Sequence, residues 1–285
     1  MILKVLIMGS ANIIGQVVGL YFRENGHDVT GYDSKPCRYY DSIQKSLYDL
    51  DCIKETIQSG CYDAVLNFTA VVNQNAEQDK AEASYINCFL PHYLEKITHN
   101  TKTVIVHRST DCIFSGKKGG YIIDDIPDGE SFYAKTKAIG ELINQKDITM
   151  RVSLIGPDPD SNGDSLFPWF LRQNGEVNGF TDAIWTGITT IEFARVIEKL
   201  LLQKAHGLFQ CAPDTSISKY ELLKVFEKYF PNNRKVIPIS KNRVDKSLIP
   251  FMGDYKVDIP DYDTMVADML LWVKNHKNIY KNFEV

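Results

Sequence analysis

The sequence has little from which to build a disulfide framework, a membrane span or a nucleic-acid surface. Its six cysteines, at 37, 52, 61, 88, 112 and 211, are scattered and never fall in a C-x-x-C spacing, so they read as reduced thiols. No apolar stretch approaches the roughly 18 residues that a membrane-spanning helix needs. The opening Met1-Ile-Leu-Lys-Val-Leu-Ile-Met8 has no charged leader and runs into a glycine turn, so it reads as a strand and not as a signal peptide. Positive charge is not in excess either: 32 Lys and Arg stand against 36 Asp and Glu, a net charge of -4, with an isoelectric point near 5.9. That balance gives no field with which to hold nucleic acid or an acidic membrane surface. The histidines at 27, 92, 99, 107, 206 and 276 show no metal-ligand spacing, and no acidic cluster resembles a magnesium or calcium site, so no metal is expected. A cytoplasmic protein is expected, with neither nucleic acid nor membrane as partner.

What is present is ordinary globular material: 285 residues, 44% hydrophobic and 24% charged, with 11 prolines spread along the length. This is enough for one large domain, or for a medium and a small one sharing an interface. The first half alternates short apolar runs with longer helical patterns. Strands are expected at Leu3 to Met8, Asp28 to Tyr32, Ala64 to Asn67, Thr103 to His107 and Ile148 to Val152, and helices near Ile14 to Glu24, Leu50 to Gln58, Ala76 to Ile97 and Ser131 to Asn144. Such alternation produces parallel strands joined by right-handed helical crossovers, and runs this apolar suit a sheet buried on both faces. The fold class expected is α/β, a Rossmann-type doubly wound parallel sheet. After Gly156 a breaker cluster of Pro157, Pro159, Asn162 and Gly163 marks a change of character. The division expected is therefore a dinucleotide-binding domain over 1–155 and a smaller α+β substrate lobe over 156–285, with segments free to interleave. Helices near 190–204, 218–230 and 262–276 belong to the second half.

Gly9-Ser-Ala-Asn12-Ile13-Ile14-Gly15 follows the first strand and opens the first helix, where backbone N–H groups and the helix N-terminus receive a pyrophosphate. Gly9 supplies the tight turn and Gly15 lets the helix lie close to the sheet. Asn12 stands where glycine is usual. Asparagine tolerates left-handed backbone angles, but its side chain narrows the approach to the phosphates. Asp33 ends the second strand, where a carboxylate accepts hydrogen bonds from the adenosine ribose and repels a 2′-phosphate, which leans towards NAD over NADP. The plainer alternative is that glycines close any strand–helix turn and that Asp33 opens the loop holding Ser34 and Pro36.

The fourth long strand ends in Arg108-Ser109-Thr110-Asp111, which puts hydroxyls at the carboxyl edge of the sheet. Further on, Phe132-Tyr133-Ala134-Lys135-Thr136-Lys137 opens a helix, and a spacing of four sets Tyr133 and Lys137 on one face. A phenol with a reference pKa of about 10 is a poor acid–base catalyst at neutral pH unless a cation stabilises its anion, a role that Lys137 can fill. Tyr133 would then donate a proton to a carbonyl oxygen that Thr110 holds by a hydrogen bond. Alone, Y-x-x-x-K is common on exposed helix faces, and its order and context are what give it meaning here.

Together these residues resemble the extended short-chain dehydrogenases, and within them the dTDP-4-dehydrorhamnose reductases. The likeness spans most of the chain: the glycine turn, Asp49-Leu50, Asn67-Phe68-Thr69-Ala70, Asn87, Ser109-Thr110-Asp111, Tyr133 to Lys137 with Gly140-Glu141, and Arg151-Val-Ser153. It continues through Trp185-Thr-Gly-Ile-Thr-Thr190, Gly207-Leu-Phe-Gln and Ile259-Pro-Asp-Tyr. The resemblance implies that Thr110, Tyr133 and Lys137 are catalytic. It implies a cofactor groove formed by Gly9, Asn12, Ile13, Ile14, Gly15, Asp33, Asp49, Leu50, Phe68, Thr69, Ala70 and Lys137, with NAD(H) or NADP(H) as hydride carrier. It puts Thr69, Val71, Asn87, Asp111 and Tyr133 against the substrate, a nucleotide-linked 6-deoxyhexose with a keto group at carbon 4, in cell-surface polysaccharide assembly. Homodimers are common in that superfamily, although no feature of this sequence demands one.

Three departures from the pattern stand out: Asn12 for the middle glycine, Ala134 where glycine often follows the tyrosine, and Leu154 where many members carry tryptophan after Arg-x-Ser. The last touches the wall of the sugar pocket, so an N-acetylated UDP-linked 4-keto sugar stays open as substrate. Two rival readings remain. One is an epimerase or dehydratase of the same superfamily, against which Cys112 follows Asp111 where dehydratases often present Glu. The other is a non-catalytic regulatory subunit resembling the beta subunit of methionine adenosyltransferase. Lys199, Lys204 and Lys219 read as solvated surface charges, and Phe167 to Leu171 as core.

Overall fold

Lys4–Met8 is the first strand (β1), and its side chains part in strict alternation. Val5 and Ile7 enter one apolar cluster, while Leu6 and Met8 enter another on the opposite face. Neither face meets water, which is why this strand is a continuous apolar run. In a computed structural model, which describes residues 1–158, 165–231, 233–241, 243–281 and 283, it is an interior strand of a seven-stranded sheet. The other strands are β2 (Asp28–Asp33), β3 (Ser42–Gln44), β4 (Ala64–Asn67), β5 (Val104–Arg108), β6 (Ile148–Arg151) and, at the far edge, Gly207–Gln210. Their order is β3-β2-β1-β4-β5-β6 followed by the Gly207–Gln210 strand, and every pairing is parallel. The chain builds outwards from β1 to β3 and then returns to start β4 on the other side. The carboxyl ends of β1 and β4 thus flank the crevice where such sheets bind ligands.

Two helices expected from the sequence are broken by identifiable residues. The stretch from 76 to 97 forms Asn73–Gln78, then Lys80–Ser84, a π-helical turn at Tyr85–Phe89, and Leu90–Thr98. Asp79 restarts the helix by accepting from Glu82 N at 2.8 Å. The wide turn precedes Pro91, which has no N–H to give to the carbonyl of Asn87, and there the hydrogen bonding shifts by one residue, with Leu90 N donating to Tyr85 O. The helix expected from Ser131 to Asn144 covers only Phe132–Ile139. It stops where Gly140 presses on the carbonyl of Asn87, which a Cβ would approach to 1.9 Å.

The chain interleaves after β6. Thr190–Leu202 packs on the helix after β1 (α1, Ile13–Glu24), where Glu198 accepts from Tyr21 at 2.7 Å and pairs with His27 at 2.8 Å. Gly207–Gln210 then joins the main sheet. The smaller lobe collects short pairings, among them Gly175–Phe180 with Arg234–Ile239 and the trio Ile217–Ser218, Ala183–Trp185 and Val244–Asp245. Phe167 and Phe170 are fully buried against Phe226 and Phe230. Of the breaker cluster, Pro159, Asn162 and Gly163 lie outside the described residues. Among the described residues no helix is long and apolar enough to cross a membrane.

Candidate active site

The crevice floor is the turn from β1 into α1. Gly9 adopts a left-handed φ of +80°, and its bare α-carbon faces Asn12 Nδ2, which a Cβ would approach to 2.7 Å. Gly15 touches the carbonyl of Gly9, where a Cβ would lie at 2.2 Å. Asn12 itself is extended, at φ −80° and ψ 164°, so the left-handed tolerance that the sequence suggested for it is not used. Its side chain does something else. Oδ1 accepts from Ile14 N at 3.0 Å and Gly15 N at 2.9 Å, and Nδ2 donates to the carbonyl of Phe68 at 3.1 Å. A neutral amide oxygen therefore sits on amides of the first helical turn, after Ile13, that are suited to an anion.

Asp33 closes the groove on one side, with Oδ2 accepting from Ala11 N at 3.1 Å and Oδ1 from Lys35 N at 3.2 Å. Thr69, Ala70 and Val71 close it on the other, and Ser46, Leu47 and Tyr48 form its outer wall. The Phe68 ring is buried in the core against Phe193, and it is the carbonyl that reaches the turn. Asp49 and Leu50, which the resemblance put in this groove, do not line it here. Asp49 caps the second helix (α2, Leu50–Gly60) by accepting from Cys52 N at 3.0 Å, and the Leu50 carbonyl accepts from Tyr93 at 2.9 Å. The requirement for a helix cap takes the carboxylate, and the residues just before it face the groove.

At the carboxyl edge of β5, Thr110 caps a short 3₁₀ turn, Asp111–Ile113. Its hydroxyl accepts from Cys112 N at 3.1 Å and donates to Asp111 Oδ1 at 3.2 Å. Tyr133 enters from the first turn of the Phe132–Ile139 helix, which Ser131 caps. Its side chain is buried, with the phenol close enough to the Thr110 side chain to be influenced by it. Burial holds the phenol above its ordinary pKa, and the largest opposing influence is the Arg108 guanidinium. The sequence reading had looked to Lys137 for that influence. Lys137 is fully buried one helical turn away, with Nζ 2.7 Å from the carbonyl of Arg108 and 3.2 Å from His107 Nε2. Burial and, next, Arg108 depress its pKa well below the usual lysine range, against a weaker pull from Glu141.

Asn87, expected against the substrate, is fully buried and its amide is consumed by the protein. Oδ1 accepts from Val71 N at 2.9 Å, and Nδ2 donates to Val71 O at 2.8 Å and Thr136 Oγ1 at 3.1 Å. It ties the groove wall to the helix carrying Tyr133, and the π-helical turn brings it there. Glu141 and Arg151 had no assigned role. They form a buried pair at 2.9 Å, and Glu141 also accepts from Ser109 at 2.6 Å, so the end of the Phe132–Ile139 helix, β5 and β6 are locked together.

Sequence reasoning missed Lys219. It is the first residue of the Lys219–Tyr229 helix, half-buried, with Nζ 4.3 Å from the centre of the Trp185 ring. Burial lowers its pKa to about 8, against the pull of Asp111 beside Thr110. It is therefore not a solvated surface charge. Trp185 is in turn held by Nε1 donating to Ser153 Oγ at 2.7 Å, which gives the Arg151-x-Ser153 motif a structural purpose. The capping box of Ser218 and Glu221 marked the helix start, but no local pattern announced that its first side chain reaches the cleft.

A family model described as the RmlD substrate binding domain matches residues 3–248. The probable low-salt glycan biosynthesis reductase Agl14 of Haloferax volcanii is 25% identical over 225 residues, which cover 74% of this chain and 75% of that protein. The methionine adenosyltransferase 2 subunit beta of Xenopus tropicalis is 26% identical over 143 residues, 48% of this chain and 41% of that one. Among solved structures, a dTDP-4-dehydrorhamnose reductase of Bacillus anthracis in complex with NADP aligns with a TM-score of 0.81 at 18% identity, covering 95% of this chain and 100% of that one. Likeness at that identity concerns the fold.

Proposed function

Because this chain belongs to the RmlD substrate binding domain family, we propose that it is a nicotinamide-dependent reductase of the keto group at carbon 4 of a nucleotide-linked 6-deoxyhexose, acting in glycan assembly. The observation that carries the reading is the buried Tyr133 phenol beside Thr110 at the carboxyl edge of β5, packed against Val71 of the Gly9–Asp33 groove wall. The Haloferax relative is described as a glycan biosynthesis reductase, which agrees.

The groove residues fit a dinucleotide. Gly9 has no side chain to fill the turn, Asn12 Oδ1 already stands where a phosphate oxygen would accept from Ile14 and Gly15, and Asp33 offers a carboxylate to a ribose. When bound, a reduced nicotinamide supplies hydride to the carbonyl carbon. The chain supplies the rest. Burial keeps the Tyr133 phenol protonated at neutral pH, the state needed to give its proton to the carbonyl oxygen, and Thr110 donates a second hydrogen bond to that oxygen. Asp33 favours NADH over NADPH. The sheet domain would hold the dinucleotide, and Asp111, Lys219 and Trp185 would meet the sugar nucleotide from both sides of the cleft.

A binding role without catalysis, as a regulatory subunit, draws support from the occupied turn at Asn12 and from the Xenopus relative. One experiment separates the readings. The protein is mixed with NADH and a panel of dTDP- and UDP-linked 4-keto-6-deoxyhexoses, and NADH absorbance and products are followed for the parent and for Tyr133→Phe. Reduction predicts one NADH consumed per sugar reduced, and a loss of about 100-fold or more in kcat for the variant. Sugar conversion without net NADH consumption would indicate epimerisation or dehydration. No conversion of any sugar by the parent would sink the enzyme reading.

A further inference from the structure

Beneath the catalytic pair lies a chain of buried polar groups to which the mechanism above gives no task. Thr69 N and Oγ1 lie 3.2 Å and 2.6 Å from Asn67 Oδ1. Asn67 Nδ2 lies 3.2 Å from His107 Nδ1, His107 Nε2 lies 3.2 Å from Lys137 Nζ, and Nζ lies 2.7 Å from the carbonyl oxygen of Arg108. The side chains of Asn67, His107 and Lys137 are fully buried.

Both ends of this chain are fixed by main-chain groups that cannot change role. The Thr69 N–H can only donate, so the atom of Asn67 facing it is the amide oxygen, and the NH₂ group faces His107. His107 Nδ1 is then an acceptor, and the proton of a neutral imidazole sits on Nε2. At the other end the Arg108 carbonyl can only accept, so Lys137 donates to it. An ammonium has three protons and no lone pair and cannot also receive the Nε2 proton, whereas a neutral amine does both.

We propose that His107, held in the Nε2-protonated tautomer by Asn67, is a positioning residue that keeps Lys137 as an uncharged amine in the free protein. The surroundings agree. The charged or titratable groups facing Lys137 are Arg108 on β5, Glu141 beyond the end of its own helix, His107, and Tyr133 a turn earlier, and Glu141 is already paired with Arg151. Burial first, then any charge on Lys137, then Arg108 and the more distant His92 disfavour a charge on His107. If the Asn67 amide turns over, its oxygen takes the proton of Nδ1, Nε2 becomes an acceptor, and Lys137 holds its third proton. The charge on the lysine is thereby tied to Thr69, a wall residue of the groove.

The inference concerns the ligand-free protein and stands apart from the choice of sugar. NMR of the full chain, carrying ¹⁵N-labelled histidine and ¹³C,¹⁵N-labelled lysine, should find His107 as the Nε2–H tautomer and Lys137 as an amine at neutral pH. An Nδ1–H tautomer or an ammonium would overturn it. In Asn67→Asp both carboxylate oxygens accept, so His107 should move its proton to Nδ1 and the Lys137 midpoint should rise by about one pH unit or more. A folded Asn67→Asp protein with His107 still in the Nε2–H form would also overturn the proposal. Should that variant fail to fold, the parent spectrum decides.

Discussion

Asn12 and Phe68 are joined across the floor of the crevice by a 3.1 Å hydrogen bond from the Asn12 amide to the Phe68 carbonyl. The same side chain covers two amides of α1 with its oxygen. A pyrophosphate arriving at this helix must compete with that oxygen. Asn12→Gly removes the competitor and leaves a good N-cap residue, so helix stability should fall by only a few tenths of a kcal/mol. With about 1 kcal/mol per hydrogen bond no longer to be displaced, NADH should bind roughly fivefold more tightly by calorimetry. Unchanged or weaker binding would mean that Asn12 does not oppose the dinucleotide.

Asp33 uses both carboxylate oxygens on main-chain amides while facing the groove, so its substitution weakens any dinucleotide. The ratio of affinities isolates its electrostatic role. Asp33→Ala should lower the Kd for NADPH relative to that for NADH by about tenfold, since one charge repulsion of about 1.4 kcal/mol is a factor of ten. A ratio that stays constant would remove Asp33 from cofactor selection.

The strands were legible because their apolar runs are local: Ala64–Asn67 has the expected limits, and β1, β2, β5 and β6 differ by single residues at their ends. Tyr133 was legible because its partner Thr110 ends a strand that the pattern also marks. What escaped reading depends on contacts between distant segments. Gly140 ends its helix against Asn87, Asp49 is taken as a cap from the groove to which the resemblance assigned it, and Arg108 acts on Tyr133 where a helical spacing had suggested Lys137. Lys219 looked like any helix-start lysine until Trp185 and Asp111 were seen beside it.

Lys219 carries a pH signature. Its folded pKa of about 8 lies below the unfolded lysine value of about 10.4, so between these values the unfolded chain binds more protons and stability rises with pH. Lys219→Met should lack this rise in denaturant titrations made below and above pH 8. If the ammonium holds substrate, KM for the sugar nucleotide in the parent should climb as pH passes about 8. The variant should show a KM raised by about tenfold with no such climb, and equal pH profiles for the two proteins would exclude the contact.

The Glu141–Arg151 pair predicts a non-additive pattern. Both side chains are buried, so removing one leaves the other as an uncompensated charge in the core. Glu141→Gln or Arg151→Met alone should cost about 3–5 kcal/mol in denaturant unfolding, because breaking a buried pair strands its partner. The double variant Glu141→Gln with Arg151→Met should recover most of that loss. Ser109 donates to the same carboxylate, and Lys137 precedes it by one helical turn, so Glu141→Gln should also lower kcat, with KM for NADH less affected. A double variant whose cost equals the sum of the two single costs would mean that the pair does not act as a unit in holding the Phe132–Ile139 helix to β5 and β6.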